Sequence, residues 1–323
     1  MTCAFVFKDE TILCHQTPDG IRPLPVSFSA ISSNQTPDAQ HTPVYQLGCV
    51  PLLAAIEVHE TDRLSSPSVN EKDDNKELDA ATLFAISHAY ALSHKLALPT
   101  IVDADNICDL TACHADIAAF IAYRQLITLM PSAVADTLSQ GIQLLRWRED
   151  TQFCSRCGTA VNSATSGERS MVCSVCRLRQ YPRVQPCVIT AITRPNPATG
   201  ETQILLAHHH RYGQTSLPLQ YGLIAGFVEV GESLEHAVAR EVAEEVNISL
   251  SDIRYVSSQP WPFPSNLMLG FRASYQSGDI VLQEDELSHA AFFDLSDLPK
   301  IPFKGSIAYD LIAQIAQEQG ITI

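Results

Sequence analysis

Short apolar runs along the first part of the chain predict strands at "CAFVF", "TILCH", "VYQLGCV" and "LLAAIEV". Apolar residues at helical spacing predict helices over "ELDAATLFAISHAYALSHKLA", "TACHADIAAFIAYRQLITLM" and "AVADTLSQGIQLLRWRED". The segment "TDRLSSPSVNEKDDNKELD" is too poor in apolar residues to pack and predicts a mobile loop. We interpret residues 1–150 as an N-terminal α/β domain whose role the sequence does not reveal.

Apolar runs in the last part of the chain predict a second arrangement of strands and helices. The predicted strands are "CVITAITR", "TQILLAHHH", "FRASYQS", "DIVLQ" and "AAFFDL". The segment "RPNPATGE" between the first two predicts a hairpin turn. Helices are predicted over 234–246 and over "GSIAYDLIAQIAQEQ". Strands are predicted before and after the first helix, and the second helix closes the region. This order favours an α/β/α sandwich with a mixed sheet over residues 183–323.

The predicted helix at 234–246 carries acidic residues on the face that it should bury. At about 100° per residue, one apolar stripe is formed by Leu234, Ala237, Val238, Val242 and Val246. Glu241 and Glu245 lie inside this stripe, and Glu244 lies on its edge. Removing an unpaired carboxylate from water costs several kcal/mol. The pattern therefore predicts a cation beside these glutamates that Arg240 alone does not supply.

Composition and charge narrow the class of protein. The chain has 323 residues, 46% hydrophobic and 18% charged, as is ordinary for a soluble globular protein of two or three domains. A formal net charge of −15 argues against a protein whose main activity is binding nucleic-acid backbone. The sequence contains no apolar run of membrane-spanning length, no signal-peptide pattern and no targeting tripeptide. We expect a cytoplasmic protein without a membrane partner.

Four of the ten cysteines form two CxxC pairs, Cys154 with Cys157 and Cys173 with Cys176. Two such turns can direct four thiolates at one tetrahedral Zn²⁺, and Gly158 suits the tight turn after the first pair. Four thiolates leave no open coordination position, so one structural zinc ion in a ribbon at 151–182 is predicted, with a redox dithiol as the alternative. The other six are expected to be inert core thiols: Cys3, Cys14, Cys49, Cys108, Cys113 and Cys187.

The acidic helix resembles the Nudix box, whose pattern is G-x5-E-x7-R-E-U-x-E-E-x-G-U with U a bulky apolar residue. The matching positions are Gly226, Glu232, Arg240, Glu241, Val242, Glu244, Glu245 and Ile248. One position departs from the pattern, because Asn247 stands where the family has glycine. Asparagine is the residue that best tolerates a left-handed conformation after glycine, so this departure threatens the geometry little.

The resemblance to Nudix hydrolases implies a site for several Mg²⁺ or Mn²⁺ ions beneath this helix. Metal ligands would be the backbone carbonyl of Ala225 and the carboxylates of Glu241, Glu245 and Glu286. Catalytic roles fall to Glu241, Glu244 and Glu245, and the family pattern leaves open whether Glu244 or Glu245 is the base. Gly226 would let the backbone approach a metal. Arg240 and Glu232 would pair and brace the preceding loop.

A second motif narrows the resemblance to the NADH pyrophosphatase branch, which also removes NAD caps from RNA. Its S-Q-P-W-P-F-P-x-S motif matches "SQPWPFPSN", with Asn266 in place of the final serine. Alternate prolines force an extended backbone and present Trp261 and Phe263 as a flat wall suited to a base, although a proline-stiffened edge strand is the alternative. The branch also has a zinc ribbon followed by Y-P-R, as at 181–183. The likeness spans about 150–323 and is weak over 1–150.

Substrate contacts and partners follow from the resemblance alone. Residues implied to bind substrate are Glu168, Tyr181, Phe227, Gln259, Pro260, Trp261, Pro262, Phe263, Pro264, Ser265, Asn266 and Ala308. Tyr181 and Phe227 would flank the nicotinamide. For Glu168, a polar surface side chain without a role in binding is the alternative. Family members are homodimers. Metal binding by the run His208 to His210 is not expected, because consecutive strand side chains point to opposite faces.

The resemblance implies hydrolysis of the diphosphate bond of NADH or NAD⁺ to nicotinamide mononucleotide and AMP. NAD-capped RNA 5′ ends are an expected second substrate, since RNA would continue from the adenosine half. One alternative is a Nudix hydrolase of ADP-ribose or another nucleoside diphosphate derivative. Another is a zinc-ribbon binding or regulatory protein with a degenerate Nudix domain, which would lack a catalytic glutamate.

Overall fold

The structure, a computed structural model, describes residues 3–17, 20–27, 44–49, 82–93, 96, 98–104, 117–166, 168–213 and 218–323. Internal contacts divide the chain into two compact units, Met1–Arg183 and Val184–Ile323. Each unit has its own sheet and its own hydrophobic core. The predicted strand "LLAAIEV" and the predicted polar loop at 61–79 lie outside the described residues.

The first unit contains a mixed sheet of eight strands in its described residues. They are β1 (Cys3–Lys8), β2 (Thr11–Thr17), β3 (Gly20–Pro23), β4 (Pro25–Ser27), β5 (Val44–Cys49), β6 (Thr82–Ser87), β7 (Thr100–Val102) and β8 (Ile117–Ala122). The order is β5-β6-β1-β2-β8-β7, while β3 pairs with β2 and β4 pairs with β1. The β1–β6 and β7–β8 pairs are parallel, and the other pairs are antiparallel.

Three helices accompany this sheet in the described residues: α1 (His88–Ser93), α2 (Tyr123–Leu126) and α3 (Ser132–Asp150). The prediction of α3 is confirmed, and this helix contacts β5 and β6. The two longer predicted helices upstream are wrong, because each divides into a strand, β6 or β8, and a short helix. The strands "TLFAIS" and "IAAFIA" are apolar at nearly every position, and periodicity cannot separate such a run from a buried helix.

The zinc ribbon closes the first unit with a small antiparallel sheet. Its strands are β9 (Val161–Ser163), β10 (Met171–Cys173) and β11 (Arg179–Gln180), in the order β11-β10-β9. Trp147 of α3 and the cysteines 154 and 173 share one hydrophobic cluster with Val161 and Met171. Helix α3 therefore leads directly into the ribbon and contributes to its small core.

The second unit is built on a six-stranded mixed sheet. Its strands are β12 (Gln185–Pro195), β13 (Thr202–His209), β14 (Ile224–Phe227), β15 (Ser249–Trp261), β16 (Asn266–Ser277) and β17 (Leu287–Asp294), and its helices are α4 (Leu234–Val246) and α5 (Ile307–Glu318). The strand order is β15-β16-β12-β13-β17, with β14 paired to β12. The β12–β16 pair is parallel and the others are antiparallel.

Helices cover both faces of this sheet, which confirms the predicted α/β/α sandwich. On β12, Cys187, Ile189 and Ala191 share a core cluster with α5. The intervening Val188 and Ile192 lie in clusters with α4. Alternation along one strand therefore supplies both helices with apolar surface. The hairpin at "RPNPATGE" is present between β12 and β13.

The strand predicted over "DIVLQ" is absent from the described second unit. Residues 279–283 are irregular there, because their amides bond to the end of α4 rather than to a neighbouring strand. Val281 N donates to Val246 O at 3.2 Å, and Gln283 N donates to Glu245 O at 3.0 Å. These bonds satisfy carbonyls that a helix leaves without partners at its last turn. No helix in the described ranges is long and apolar enough to cross a membrane.

Candidate active site and zinc site

Helix α4 is capped at both ends, which fixes where its glutamates lie. The Ser233 side chain accepts a hydrogen bond from His236 N at 3.2 Å. After the last turn, Asn247 adopts the left-handed conformation with φ 59° and ψ 31°. Its Nδ2 donates to Asp279 O at 3.3 Å. Asparagine therefore maintains the left-handed geometry at the position where the family pattern has glycine.

Arg240 connects three glutamates and the loop before the helix. Its Nε and Nη2 donate to the two oxygens of Glu232 at 2.8 and 2.9 Å. Its Nη1 donates to Glu241 and to Glu244, both at 2.9 Å, and Nη2 also donates to Phe227 O at 2.9 Å. The bidentate pair lowers the pKa of the Glu232 carboxyl to about 2. This arginine braces the segment after β14 against α4.

Gly226 lies directly against Glu241. A Cβ atom added at Gly226 would be 1.9 Å from Glu241 Cδ. Only glycine at this position of β14 therefore leaves space for the carboxylate. Burial raises the pKa of Glu241, although Arg240 opposes this shift. Ala225 precedes Gly226 in the same strand and pairs with Ile189 of β12.

Glu245 is the carboxylate that Arg240 does not compensate. It is 2% exposed, and its Oε2 has no hydrogen-bond partner in the described part of the chain. Burial, followed by the negative charges of Glu286 and Glu241, raises its pKa to about 8. His209 Nε2 lies 3.9 Å from Oε2, but burial lowers the pKa of His209 to about 3 and leaves the imidazole neutral. The positive charge of Arg211 opposes the rise in the pKa of Glu245 without cancelling it.

These residues fit a divalent cation. Carboxylate oxygens are the donors that Mg²⁺ and Mn²⁺ prefer, and a cation would relieve both the buried unpaired oxygen of Glu245 and the repulsion among Glu241, Glu245 and Glu286. Glu286 is exposed in the turn before β17, and its carbonyl accepts from His210 N at 3.0 Å. Among the described residues, only the four cysteines bring three or more metal-ligand atoms within 4.8 Å of one another. The glutamate oxygens are spread more widely.

The motif at 259–266 joins the end of β15 to the start of β16. The Gln259 amide bonds at both ends to the segment that begins α5: Nε2 donates to Gly305 O, and Oε1 accepts from Ile307 N, both at 2.8 Å. The Trp261 ring stacks on Phe303 with centroids 6.2 Å apart and planes at 22°. Phe263 meets the same indole edge-on at 5.3 Å. Gln259 and Trp261 therefore tie this motif to the segment that begins α5.

Residues 262–265 form the turn after β15, with a cis peptide bond between Phe263 and Pro264, whereas Pro260 lies in β15 and Asn266 begins β16. Ser265 O accepts from Gln185 N at 2.9 Å. Asn266 is buried, its Nδ2 donates to Phe263 O at 3.2 Å, and its Oδ1 has no partner in the described ranges. Strand β15 is an edge strand and Trp261 packs against the core, so part of this motif is structural.

The remaining predicted residues of the second unit lie on β14 and α5. Phe227 is 50% exposed and follows Gly226 in β14, whereas Ala308 is 9% exposed in the first turn of α5. Sequence reasoning missed His209, which packs beside Glu245, and Phe303, which stacks on Trp261. Alternation places His209 on the face opposite His208. Phe303 carries no comparable sequence signal.

The four predicted zinc ligands come together in the first unit. The Sγ distances are 3.4 Å between Cys154 and Cys176, 3.5 Å between Cys157 and Cys173, and 3.7 Å between Cys157 and Cys176. Tetrahedral ligands at about 2.3 Å from zinc lie about 3.8 Å apart, so this cluster fits Zn²⁺. Hydrogen bonds involving Thr159 lower the pKa of the Cys157 thiol to about 6. Of the six other cysteines, Cys14 and Cys187 are buried as expected, and burial raises the pKa of both thiols.

Tyr181 and Glu168 belong to a network within the first unit. Arg179 Nη1 donates to Glu168 Oε2 at 2.7 Å, and Ser170 Oγ donates to the same oxygen at 3.3 Å. A hydrogen bond with Glu168 raises the pKa of the Tyr181 phenol, whose side chain is exposed. The two predicted substrate residues of this unit therefore contact each other.

Two regions of the chain match known protein domains. Residues 186–314 match the NUDIX domain, and residues 149–181 match the NADH pyrophosphatase zinc ribbon domain. The NAD-capped RNA hydrolase NudC of Salmonella schwarzengrund (strain CVM19633) is 46% identical over 175 residues, which are 54% of this chain and 63% of that protein. The protein of the same description from Salmonella newport (strain SL254) gives the same identity and coverage.

A solved NUDIX hydrolase from Nitrosomonas europaea is 23% identical, with a TM-score of 0.42, and the match covers 53% of this chain and 94% of that one. Within the second unit, residues 186–314 match the NUDIX domain, and the fold is of the α+β class. The two matched regions, the zinc ribbon at 149–181 and the Nudix domain at 186–314, agree with the sequence motifs. The chain spans 63% of the length of the curated relatives it matches.

Proposed function

We propose that this protein is a divalent-metal-dependent hydrolase of the diphosphate bond in NADH and NAD⁺. One water is consumed, and the products are nicotinamide mononucleotide, in the redox state of the substrate, and AMP. NAD-capped RNA 5′ ends would be cleaved at the same bond. The 46% identity to NAD-capped RNA hydrolases over 175 residues, together with the separate matches to the zinc ribbon and the Nudix domain, supports this substrate class.

One observation carries the proposal: Glu245 is buried with one oxygen unpaired, inside a helix that matches the Nudix box. An uncompensated carboxylate is costly to bury, and it persists where a cation binds. Glu241, Glu245, Glu286 and the Ala225 carbonyl would hold several Mg²⁺ or Mn²⁺ ions. When bound, these ions supply charge neutralisation for the diphosphate and a water activated for attack on phosphorus.

The chain's own residues would hold the substrate and move the proton. Glu244 and Glu245 are the two candidates for accepting a proton from water, and Glu244 is also hydrogen-bonded to Arg240. Phe227 and Trp261 would present aromatic surface to the nicotinamide or the adenine. The Gln259 amide would act indirectly, by holding the start of α5 and hence Ala308 in place.

Residues Gln259 to Asn266 would line the nucleotide pocket, and Tyr181 with Glu168 would add contacts from the first unit. We propose one structural Zn²⁺ on the four cysteines, a homodimeric assembly and a cytoplasmic location. Three domains are proposed: residues 1–150, the ribbon at 151–182 and the Nudix domain at 183–323.

The test is incubation with NADH and Mn²⁺ in ¹⁸O-labelled water, followed by mass spectrometry of both mononucleotides. We expect equal amounts of the two products, with label on one of them, and the labelled product identifies the phosphorus attacked. ADP-ribose serves as the comparison substrate. An uncleavable analogue of capped RNA serves as the inhibitor control. Faster hydrolysis of ADP-ribose than of NADH would replace the proposal with the alternative Nudix activity, and no hydrolysis of either would reject it.

A further inference from the structure

The zinc ribbon carries a charge opposite to that of the whole chain. Residues 151–182 contain four arginines, one glutamate and no lysine or aspartate, whereas the chain has a formal net charge of −15. The arginines, all exposed, are Arg156, Arg169, Arg177 and Arg179. Zinc with four thiolates carries two negative charges, so the ribbon stays net positive when the metal is bound. A basic surface on an acidic protein is the electrostatic feature expected for a polyanionic partner.

One of these arginines occupies a position that favours glycine. The two CxxC turns have the same geometry: Gly158 N donates to Cys154 O at 2.9 Å, and Arg177 N donates to Cys173 O at 3.1 Å. Gly158 has φ 74° and Arg177 has φ 62°. A side chain at positive φ is disfavoured, and the exposed Arg177 gains no burial in return. What Arg177 contributes at this position, compared with glycine, is therefore an exposed positive charge.

Exposed apolar side chains lie beside the same two turns. Phe153 is 66% exposed immediately before Cys154, and Val175 is 69% exposed immediately before Cys176. Arg156 lies within the first turn and is also exposed. An exposed ring next to a turn that carries an exposed arginine suits single-stranded nucleic acid, because arginines contact phosphates while the ring stacks on a base.

We propose that the ribbon surface formed by Phe153, Arg156, Val175 and Arg177 binds the RNA chain of an NAD-capped RNA. The inference rests on the proposed function, since the cap is the group to be hydrolysed and RNA continues from its adenosine. Free NADH has no such chain, so this surface acts only on the longer substrate. Arg179 is left out of the surface because Glu168 already pairs with it at 2.7 Å.

Binding of uncapped RNA tests the surface without any catalysis. Fluorescence anisotropy would follow a labelled single-stranded RNA of about 20 nucleotides at several salt concentrations between about 50 and 200 mM. For Arg156→Gln/Arg177→Gln we expect Kd to rise about five-fold or more, and the slope of log Kd against log salt to fall by about one. Phe153→Ala should weaken binding without changing that slope, because it removes stacking and no charge.

A double variant outside the ribbon is the matched control. Arg124 and Arg254 are exposed, and Arg124→Gln/Arg254→Gln removes the same charge from the chain. This variant should bind RNA like the wild type. The ribbon variants should keep one zinc ion per chain, measured by metal analysis. If Arg156→Gln/Arg177→Gln retains its zinc and binds RNA with the affinity and salt slope of the wild type, the inference is overturned. It is also overturned if the control variant binds RNA as weakly as the ribbon variant, or if the wild type binds no RNA.

Turnover separates this inference from the proposed function. In the ribbon double variant, kcat/KM for NADH should equal the wild-type value, while kcat/KM for NAD-capped RNA should fall by the same factor as RNA affinity. If the wild type hydrolyses neither substrate, the proposed function fails and the anisotropy result still decides the ribbon's role. An equal fall for NADH and for capped RNA would reject the RNA surface.

Discussion

The Oε2 atom of Glu245 lies 3.9 Å from Nε2 of His209, and both side chains are 2% exposed. This contact is not an ion pair, because burial lowers the pKa of His209 to about 3. Burial also raises the pKa of Glu245 to about 8, with a further contribution from the charge of Glu286. At neutral pH the metal-free site therefore holds a proton on Glu245. A proton and a divalent cation compete for the same carboxylate.

The first prediction concerns the pH dependence of stability in the metal-free protein. The pKa of Glu245 is higher in the folded protein than its ordinary value of 4.5, so the folded state binds more protons between about pH 4.5 and 8. The contribution of Glu245 to the free energy of unfolding is then fully present below about pH 4.5 and is lost as pH rises towards 8. Glu245→Gln should remove this loss.

Urea unfolding in a chelator measures this effect. At pH 8.5 we expect the free energy of unfolding of Glu245→Gln to exceed that of the wild type by up to about 5 kcal/mol, and at pH 5 the two should differ little. Glu235→Gln, an exposed position on the same helix, should shift stability by less than about 0.5 kcal/mol at either pH. Parallel pH profiles for the wild type and Glu245→Gln would contradict the buried, protonated state.

The second prediction is that Glu245→Gln abolishes turnover while the fold stays intact. The amide keeps the size of the side chain but removes the negative charge that would hold a cation, so kcat for NADH should fall by at least about 100-fold. Circular dichroism and the unfolding midpoint establish that the variant is folded. Glu235→Gln should retain wild-type kcat. A Glu245→Gln enzyme with near-normal kcat would show that the reaction does not depend on this carboxylate.

Helix α4 shows how far the sequence determines this site. Periodicity alone predicted that Glu241 and Glu245 lie on the buried side, and the structure has them largely buried at 15% and 2% side-chain exposure. The resemblance to the Nudix box also implies that Arg240 pairs with Glu232, as the structure shows. It could not predict that one guanidinium reaches Glu232, Glu241 and Glu244 and leaves Glu245 alone, because that division depends on side-chain conformation.

Long-range contacts account for the errors elsewhere. "DIVLQ" has the composition of a strand, yet its amides bond to the last carbonyls of α4, a contact that local sequence does not encode. "TLFAIS" and "IAAFIA" are strands within predicted helices, because burial on both faces removes the period that separates the two structures. Phe303 joins the site only because β15 and the segment before α5 are neighbours in space.

The third prediction concerns the close approach of Gly226 to Glu241. Gly226→Ala would place a Cβ 1.9 Å from Glu241 Cδ, so the carboxylate must move. Because Glu241 is a proposed metal ligand, we expect kcat/KM for NADH to fall by at least about 100-fold. The half-saturating Mn²⁺ concentration should also rise.

Gly200→Ala is the control for Gly226→Ala. Gly200 has φ 78° with nothing within 4 Å of an added Cβ, so this change costs about 1 kcal/mol of stability without touching the site. Its kcat/KM should equal that of the wild type. Normal kcat/KM in folded Gly226→Ala would show that Glu241 can move without consequence.

The fourth prediction assigns Gln259 to the position of helix α5. Gln259→Leu removes the bonds to Gly305 O and Ile307 N, each 2.8 Å long, and should lower stability by about 1–3 kcal/mol. The Trp261–Phe303 stack should loosen, so KM for NADH should rise about ten-fold with kcat changed less. Gln259→Glu can still accept from Ile307 N and should recover part of the loss. The control is Gln276→Leu, at an exposed position of β16, which should change neither kcat nor KM. If Gln259→Leu instead lowered kcat and left KM unchanged, Gln259 would contact the reacting groups.

The fifth prediction concerns the four-cysteine cluster. Cys173 is buried, its Sγ lies 3.5 Å from that of Cys157, and its amide donates to Leu178 O at 3.0 Å. Cys173→Ser should release the zinc ion, because a hydroxyl is a far weaker ligand than a thiolate. Metal analysis should fall from one zinc per chain to near zero, and the amides of the two CxxC turns should lose protection from hydrogen exchange. The control is Cys187→Ser, which changes a buried cysteine of the Nudix domain outside the cluster and should leave one zinc ion per chain. Retention of zinc by Cys173→Ser would exclude the tetrahedral four-cysteine site.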